Sequence, residues 1–329
     1  MPNVLVTGAN GYIGFAVARA FVAEGWTVFG LVRRPETANE LEKAGIHPLV
    51  GSPTDLAWLD SLDKSIVFSV VSSNTEDLSD LERHYKAVRS MLEQLGTRNQ
   101  KHGGESTRLM VLVSSGCKDY GRSSLADDPS LAPHTEDSPL NPPPPLKHRT
   151  ECMSILLDGP PSGAAAYDTA VLRPTNVYGY GSSYWSDFFR AAERALEAPD
   201  RTLVFHADER TVLHGTHVDD CGRAYVALAA HSLDRREDVR GKAFNVSNRT
   251  YETLEGIGKA LAREYALAGV RFDAPAGDVS HADMTTERYS QWVSSERLRS
   301  LTGWTEREPG FVEGLSRWRH EYEASKKAQ

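Results

Sequence analysis

TGANGYIG, Thr7 to Gly14, decides the fold. It follows a short apolar run, Val4 to Val6, and precedes a stripe of Ala16, Val17, Ala20 and Phe21 at helical spacing that stops at Gly25. Glycines at 8, 11 and 14 permit a tight turn, a close approach of backbone to phosphate, and close helix packing. The start of the following helix then offers free N–H groups and the positive end of its dipole to a pyrophosphate. A glycine triplet alone also describes a turn with no ligand; its place between strand and helix points to a dinucleotide.

On either side of this stretch, strand and helix patterns alternate. Strands are expected at Thr27 to Val32, His47 to Val50, Ser65 to Val71, Arg108 to Ser114, Tyr167 to Leu172, Leu203 to Phe205 and Ala243 to Val246. Helices are expected at Thr37 to Lys43, Leu56 to Leu62, Asp77 to Leu95, from Pro145 or Leu146 onward, and at Trp185 to Leu196, Asp220 to Ala230 and Thr253 to Tyr265. An amphipathic helix closes the chain. This alternation gives an α/β fold, a doubly wound parallel sheet with a smaller, discontinuous C-terminal substrate domain. The expected division is 1–178 with 214–248 for the dinucleotide-binding part and 179–213 with 249–329 for the substrate part. The Ser/Asp/Pro-rich stretch Ser115 to Pro145 has the length of a lid or site wall.

The 329 residues, 40% apolar and 25% charged, suit a globular protein with a sizeable core. A net charge of −8 argues against a nucleic-acid partner, and mean hydropathy is −0.43. Cys117, Cys152 and Cys221 have no metal-like spacing, so free thiols in a reducing compartment are expected. No apolar run is long enough for a membrane span and MPNVLVTG enters a strand directly, so the expected location is cytoplasmic. His206, His214 and His217 lack helical i, i+4 spacing, and no metal is expected.

A domain that binds NAD usually ends its second strand with Asp or Glu, which accept from the ribose hydroxyls. Here that place holds Val32, followed by Arg33 and Arg34. Guanidinium groups there suit a 2′-phosphate, although an arginine pair at a strand end is also commonly just solvated. The expected cofactor is NADP (NADPH), ahead of NAD.

TGANGYIG, SSGCKDYG (Ser114 to Gly121), RPTNVYG (Arg173 to Gly179), HVDD (His217 to Asp220) and FNVSN (Phe244 to Asn248) together resemble the extended short-chain dehydrogenase/reductases, the NAD(P)-dependent epimerase/dehydratase group, over nearly the whole chain. The resemblance implies a Rossmann domain, a substrate domain and a cleft between them. It places Gly8, Asn10, Gly11, Tyr12, Ile13, Gly14 and Arg33 against the cofactor's phosphates and adenosine half. Val71 and Ser72 would follow the fourth strand and Ser114 the fifth, with Pro174, Asn176 and Val177 near the nicotinamide. Asp219 and Asp220 read as helix caps.

That family's chemistry rests on a Ser or Thr, a Tyr, and a Lys four residues after the Tyr. Counting from Tyr120-Gly121, those places hold Gly116, Leu146 and Thr150, and no tyrosine occurs between Tyr120 and Tyr167. The catalytic helix is present without its catalytic pair. Lys118 reads equally as a replacement proton donor or as a surface lysine. Cys117 could be a thiol activated by that lysine or a buried inert one. Arg149 could stand in for the missing lysine or be solvated. Tyr184, Trp185, Phe188 and Phe189 could wall a flat substrate or pack a core.

Three functions remain open. One is an NADP(H)-dependent oxidoreductase reducing an activated C=N or conjugated C=C/C=O bond of a small molecule. The others are a redox-neutral isomerase or lyase using the cofactor structurally, and a non-catalytic NADP sensor. Helices at Asp77 to Leu95 and Leu146 to Leu157 would pair in a homodimer.

Overall fold

A computed structural model of the protein describes residues 1–74, 80–159, 166–181, 183–277 and 279–327. Seven strands form one parallel sheet. In the first half β1 (Asn3–Thr7), β2 (Thr27–Val32), β3 (His47–Val50), β4 (Val70–Ser73), β5 (Leu109–Ser114) and β6 (Tyr167–Pro174) alternate with α1 (Tyr12–Ala23), α2 (Ala38–Lys43), α3 (Ala57–Ser61), α4 (Leu81–Gly103) and α5 (Lys147–Leu157). The chain continues through β7 (Asn176–Tyr178), α6 (Ser186–Glu197), β8 (Thr202–Phe205), β9 (Val212–Leu213), β10 (Gly215–His217), α7 (Val218–Asp234) and β11 (Ala243–Val246). It ends with β12 (Glu252–Thr253), α8 (Leu254–Glu264), β13 (Gly269–Phe272), α9 (Glu296–Thr302) and α10 (Leu315–Lys327).

The order across the sheet is β3-β2-β1-β4-β5-β6-β11. Val4, Leu5 and Val6 are fully buried because helices cover both faces, which is why the strand reads as an unbroken apolar run. Strand order reverses between β1 and β4, and in such sheets ligands bind at the carboxyl ends of the strands beside that point. The doubly wound reading therefore holds.

Some boundaries differ. The fourth strand covers Val70–Ser73 rather than Ser65 to Val71. Ahead of it the buried Asn99 side chain accepts from Phe68 N (3.2 Å) and donates to Phe68 O (2.6 Å), so a side chain does the work of strand pairing there. The start of the helix expected at Asp77 lies outside the described residues; from Leu81 it runs on to Gly103. No helix among the described residues is long and apolar enough to cross a membrane.

A separate core lies away from the sheet, in which Trp185, Phe188, Phe189, Phe205, Phe311 and Trp318 pack together. Trp185, Phe188 and Phe189 are thus packing residues, and of that aromatic group Tyr184 alone is exposed. The C-terminal part does not stay in this unit: Leu298 of α9 and Trp304 join the core of the large domain. His214 ties these parts together. Its Nε2 donates to Asn248 O (2.9 Å) and its Nδ1 accepts from Val293 N (3.2 Å).

Burial, with repulsion from Arg299 outweighing the pull of Glu306, brings the His214 imidazole down to about 4. A group whose pKa falls on folding contributes stability above its unfolded value, lost as pH drops toward the folded one. Between pH 7 and pH 5 this residue should cost the fold about 2 kcal/mol. Urea unfolding at both pH values should show His214→Gln losing less stability on acidification than the parent; equal losses would refute the assignment.

Candidate active site

At the carboxyl end of β1 the chain turns through Gly8, whose φ is +62°. A Cβ on Gly14 would stand 2.1 Å from Gly8 O, so only glycine lets the helix start this close to the turn. No side chain caps α1. Its first N–H groups are therefore left for an anionic ligand, and the cradle fits a dinucleotide's pyrophosphate. A cavity of about 360 Å³ runs from here past Gly8, Asn10, Gly11, Arg33, Ser52 and Asn74. Tyr12 does something different with its side chain. Its hydroxyl donates to Gly179 O (2.8 Å) and ties the glycine turn to the RPTNVYG segment.

Three sequence expectations need correction on this side. Arg33 lines the cavity, but Arg34 is not among its lining residues; the Arg34 carbonyl accepts from Thr37 Oγ1 (2.8 Å) and holds the turn after β2. Val71 and Ser72 lie inside β4, not after it, and Val71 belongs to the core. The residue that reaches the cavity is Asn74. Ser72 Oγ accepts from Asn74 Nδ2 (2.9 Å) and Ser114 Oγ donates to Asn74 Oδ1 (2.6 Å), so both serines aim the amide. Ser52, Thr54, Asn74 and His84 had no local signal; the sheet order gathers them.

A second cavity, about 330 Å³, opens at the ends of β5 and β6. Ile13, Pro174, Asn176 and Val177 line one side, and Gly116, Lys118, Leu146, Arg149 and Tyr184 the other. Gly116 and Leu146, counted into the Ser/Thr and Tyr places, both line this cavity. Thr150, in the Lys place, is buried and donates to Asp119 Oδ1 (2.9 Å). Leu146 offers this cavity no proton.

Lys118 is held rather than loose. Its Nζ donates to Met284 O (3.2 Å) and lies 5.0 Å from the Tyr289 ring centre and 5.6 Å from that of Tyr184. Desolvation, with repulsion from Arg149 and Arg122, pulls its ammonium down to about 8. Cys117 is not the activated thiol considered above. It is buried, its Sγ donates to Arg173 O (2.8 Å), and desolvation holds the thiol well above its usual range.

Arg149 is not solvated either. It is buried, and its Nη2 donates to Asp119 Oδ1 at 2.7 Å. Asp119 is fully buried; it also accepts from Ser115 Oγ at Oδ2 (2.5 Å) and faces Arg173 Nε across 3.5 Å. A Cβ on Gly116 would lie 3.5 Å from Arg149 Nη2 and 3.8 Å from Nη1. The missing side chain therefore leaves the guanidinium bordering the cavity. The sequence carried no sign of Asp119's role, since nothing local marks that aspartate as buried. Gln291, distant in sequence, pins the turn by donating to Cys117 O (2.7 Å).

The expected caps are also corrected. His217 caps α7, accepting at Nδ1 from Asp219 N (3.3 Å). Asp219 accepts from Arg19 (2.6 Å) and Tyr180 OH (2.5 Å), while Asp220 accepts from Arg307 N (2.8 Å) and Glu308 N (2.9 Å). His217, Asp219 and Glu308 do come within metal-binding distance of one another. Accepting at Nδ1 puts the imidazole proton on Nε2, and both acids are paired with arginines, so the set offers little to a cation.

The model of the NAD dependent epimerase/dehydratase family matches residues 4–247. A ketoreductase from Stigmatella aurantiaca, acting on 4-hydroxy-2-methyl-3-oxo-4-farnesyl-3,4-dihydroquinoline-1-oxide by its name, is 27% identical over 189 residues; the match spans 54% of this chain and 51% of that protein. Only about half the length of that relative is therefore covered. The dTDP-glucose 4,6-dehydratase of Bacillus anthracis, solved with NAD, superposes with a TM-score of 0.73 at 17% identity, covering 99% of this chain and 98% of that one. The UDP-glucuronic acid 4-epimerase of Bacillus cereus, also with NAD, gives 0.69 at 18%, covering 98% and 96%. At such identities these two structures speak for the fold.

Removing the anion beneath the site should be costly. Asp119→Asn leaves Arg149 and Arg173 as buried cations without their carboxylate, and chemical unfolding should show a loss of roughly 3–5 kcal/mol. Adding Arg149→Met should return part of that loss; a double variant no more stable than Asp119→Asn would contradict the pairing.

Proposed function

The chain belongs to the NAD-dependent epimerase/dehydratase family, and we propose that it is an NADP(H)-dependent reductase of an activated double bond in a small molecule. The observation that carries this reading is the cavity lined by Leu146 and Lys118, in which the lysine holds its ammonium near two tyrosine rings. The name of the Stigmatella relative, a ketoreductase, supports reduction. Of the activated bonds considered, the conjugated C=C/C=O is favoured over C=N, because Lys118 and Arg149 would repel a cationic iminium.

Gly8, Gly11, Tyr12, Ile13 and Gly14 would hold the pyrophosphate through backbone N–H groups, Asn10, Arg33 and Asn74 the adenosine side, and Pro174, Asn176 and Val177 the nicotinamide side. Bound there, the cofactor supplies a hydride. Lys118 Nζ would supply the matching proton to the substrate and recover one from solvent; near neutral pH it is charged yet acidic enough to give it up. Arg149, fixed by Asp119, would stabilise the negative charge that develops on the substrate oxygen. Arg33 supports NADPH, since no acid occupies the end of β2 and its guanidinium borders the adenosine cavity. The solved relatives with NAD are too distant to decide that choice.

NADPH consumption against a panel of enones, cyclic imines and plain ketones tests the reading, with NADH as control. Turnover of enones is expected, and none of the panel reacting despite tight NADPH binding would overturn it. Lys118→Ala should lower kcat by roughly 10²–10⁴-fold. Activity of the parent should fall as pH rises past about 8, where the ammonium is lost. Arg33→Ala should weaken NADPH binding by roughly 10- to 100-fold, as expected for a charged hydrogen bond, with NADH unaffected. Equal losses for both cofactors would remove the arginine from phosphate recognition.

A further inference from the structure

Positive charge gathers around the second cavity beyond what proton donation requires. Lys118 and Arg149 both line it, and no carboxylate lines it among the described residues. Arg122 stands nearby, its guanidinium 4.5 Å from the centre of the Tyr289 ring that Lys118 Nζ approaches at 5.0 Å. Arg173 lies beneath, almost fully buried.

Two acids are close enough to compensate. Asp119 is shared between Arg149 and Arg173, so one carboxylate serves two guanidiniums. Asp283 pairs with a further cation, Arg288, at 3.4 Å. Lys118 itself donates to a neutral carbonyl, that of Met284, rather than to an acid. Its pKa is lowered mainly by desolvation, with Arg149 and Arg122 adding to the effect and Asp283 opposing it. A chain of net charge −8 has acids in excess, yet among the described residues none lines the cavity itself.

From this juxtaposition we infer that the substrate carries a delocalised oxyanion, a carboxylate or an ionised 1,3-dicarbonyl, seated between Lys118 and the guanidinium edge of Arg149. The inference rests on the reductase reading for the site's use, but concerns recognition. A planar oxyanion suits an arginine edge, which donates through two coplanar N–H groups, with the lysine as a point charge beside it. Gly116 serves the same end, because a side chain there would stand between that edge and the ligand. Low polarity around the pair, from Leu146, Ile13 and the tyrosine rings, strengthens the attraction relative to water.

The test is binding by matched probes to the enzyme saturated with NADP⁺, read by calorimetry. Benzoate is compared with benzamide, and an acidic cyclic 1,3-diketone, ionised at neutral pH, with cyclohexanone. At least one anion is expected to bind ten-fold or more tightly than its neutral partner, and which pair shows it tells carboxylate from 1,3-dicarbonyl. Lys118→Gln should bring that ratio below three-fold. Equal affinities within both pairs in the parent protein would overturn the inference without any variant. An anion preference with no NADPH turnover on any panel member would uphold it and sink the reductase reading; enone turnover with no anion preference would do the reverse.

Discussion

A fully buried aspartate between two arginines organises this site. Asp119 stands at the end of the turn after β5, and its carboxylate accepts from Arg149 and Thr150 on α5 and faces Arg173 on β6. One anion therefore fixes three elements whose ends surround the second cavity. A buried charge is tolerated only when paired and hydrogen-bonded. Here the pairing decides where Arg149 points, and with it the character of the cavity.

The cofactor side depends on a different constraint, the absence of side chains. Gly8 and Gly14 lie too close for a Cβ, and α1 begins without a cap, so backbone N–H groups are the available donors. Around this opening, polar side chains act through one another. Tyr225 and Asn74 both bond the Ser114 hydroxyl at 2.6 Å, and Ser72 holds the other end of the Asn74 amide. Such a relay keeps buried hydroxyls satisfied while it aims one amide into the cleft.

The last third of the chain closes the cleft by returning to it. Asp220 receives the backbone of Arg307 and Glu308, His214 receives Val293, and Gln291 reaches the turn at Cys117. Arg122 in the long stretch after β5 donates back to the carbonyls of Arg288 and Asp283. That stretch has little regular structure, yet its backbone is held: Ala126 N donates to Arg210 O (2.8 Å) and His134 N to Trp292 O (2.9 Å). Its first residues, Ser115 to Lys118, line the second cavity.

The doubly wound sheet and the glycine turn were legible in the sequence because each is local. Hydrophobic period, glycine spacing and residue identity at a counted position need no knowledge of distant neighbours. Leu146 and Gly116, brought together by counting against the family resemblance, both line the second cavity. What only the tertiary structure decided is which polar groups are buried together. Asp119 reads as one more aspartate in SSGCKDYG, Asn74 as an unremarked residue after a strand, and Asp219 and Asp220 as caps. Their actual partners lie on α5 and β6, on β5, and at Arg19 and Arg307. Pairing of that kind is set by the approach of elements remote in sequence, and the energy of a buried charge depends on all of its neighbours at once.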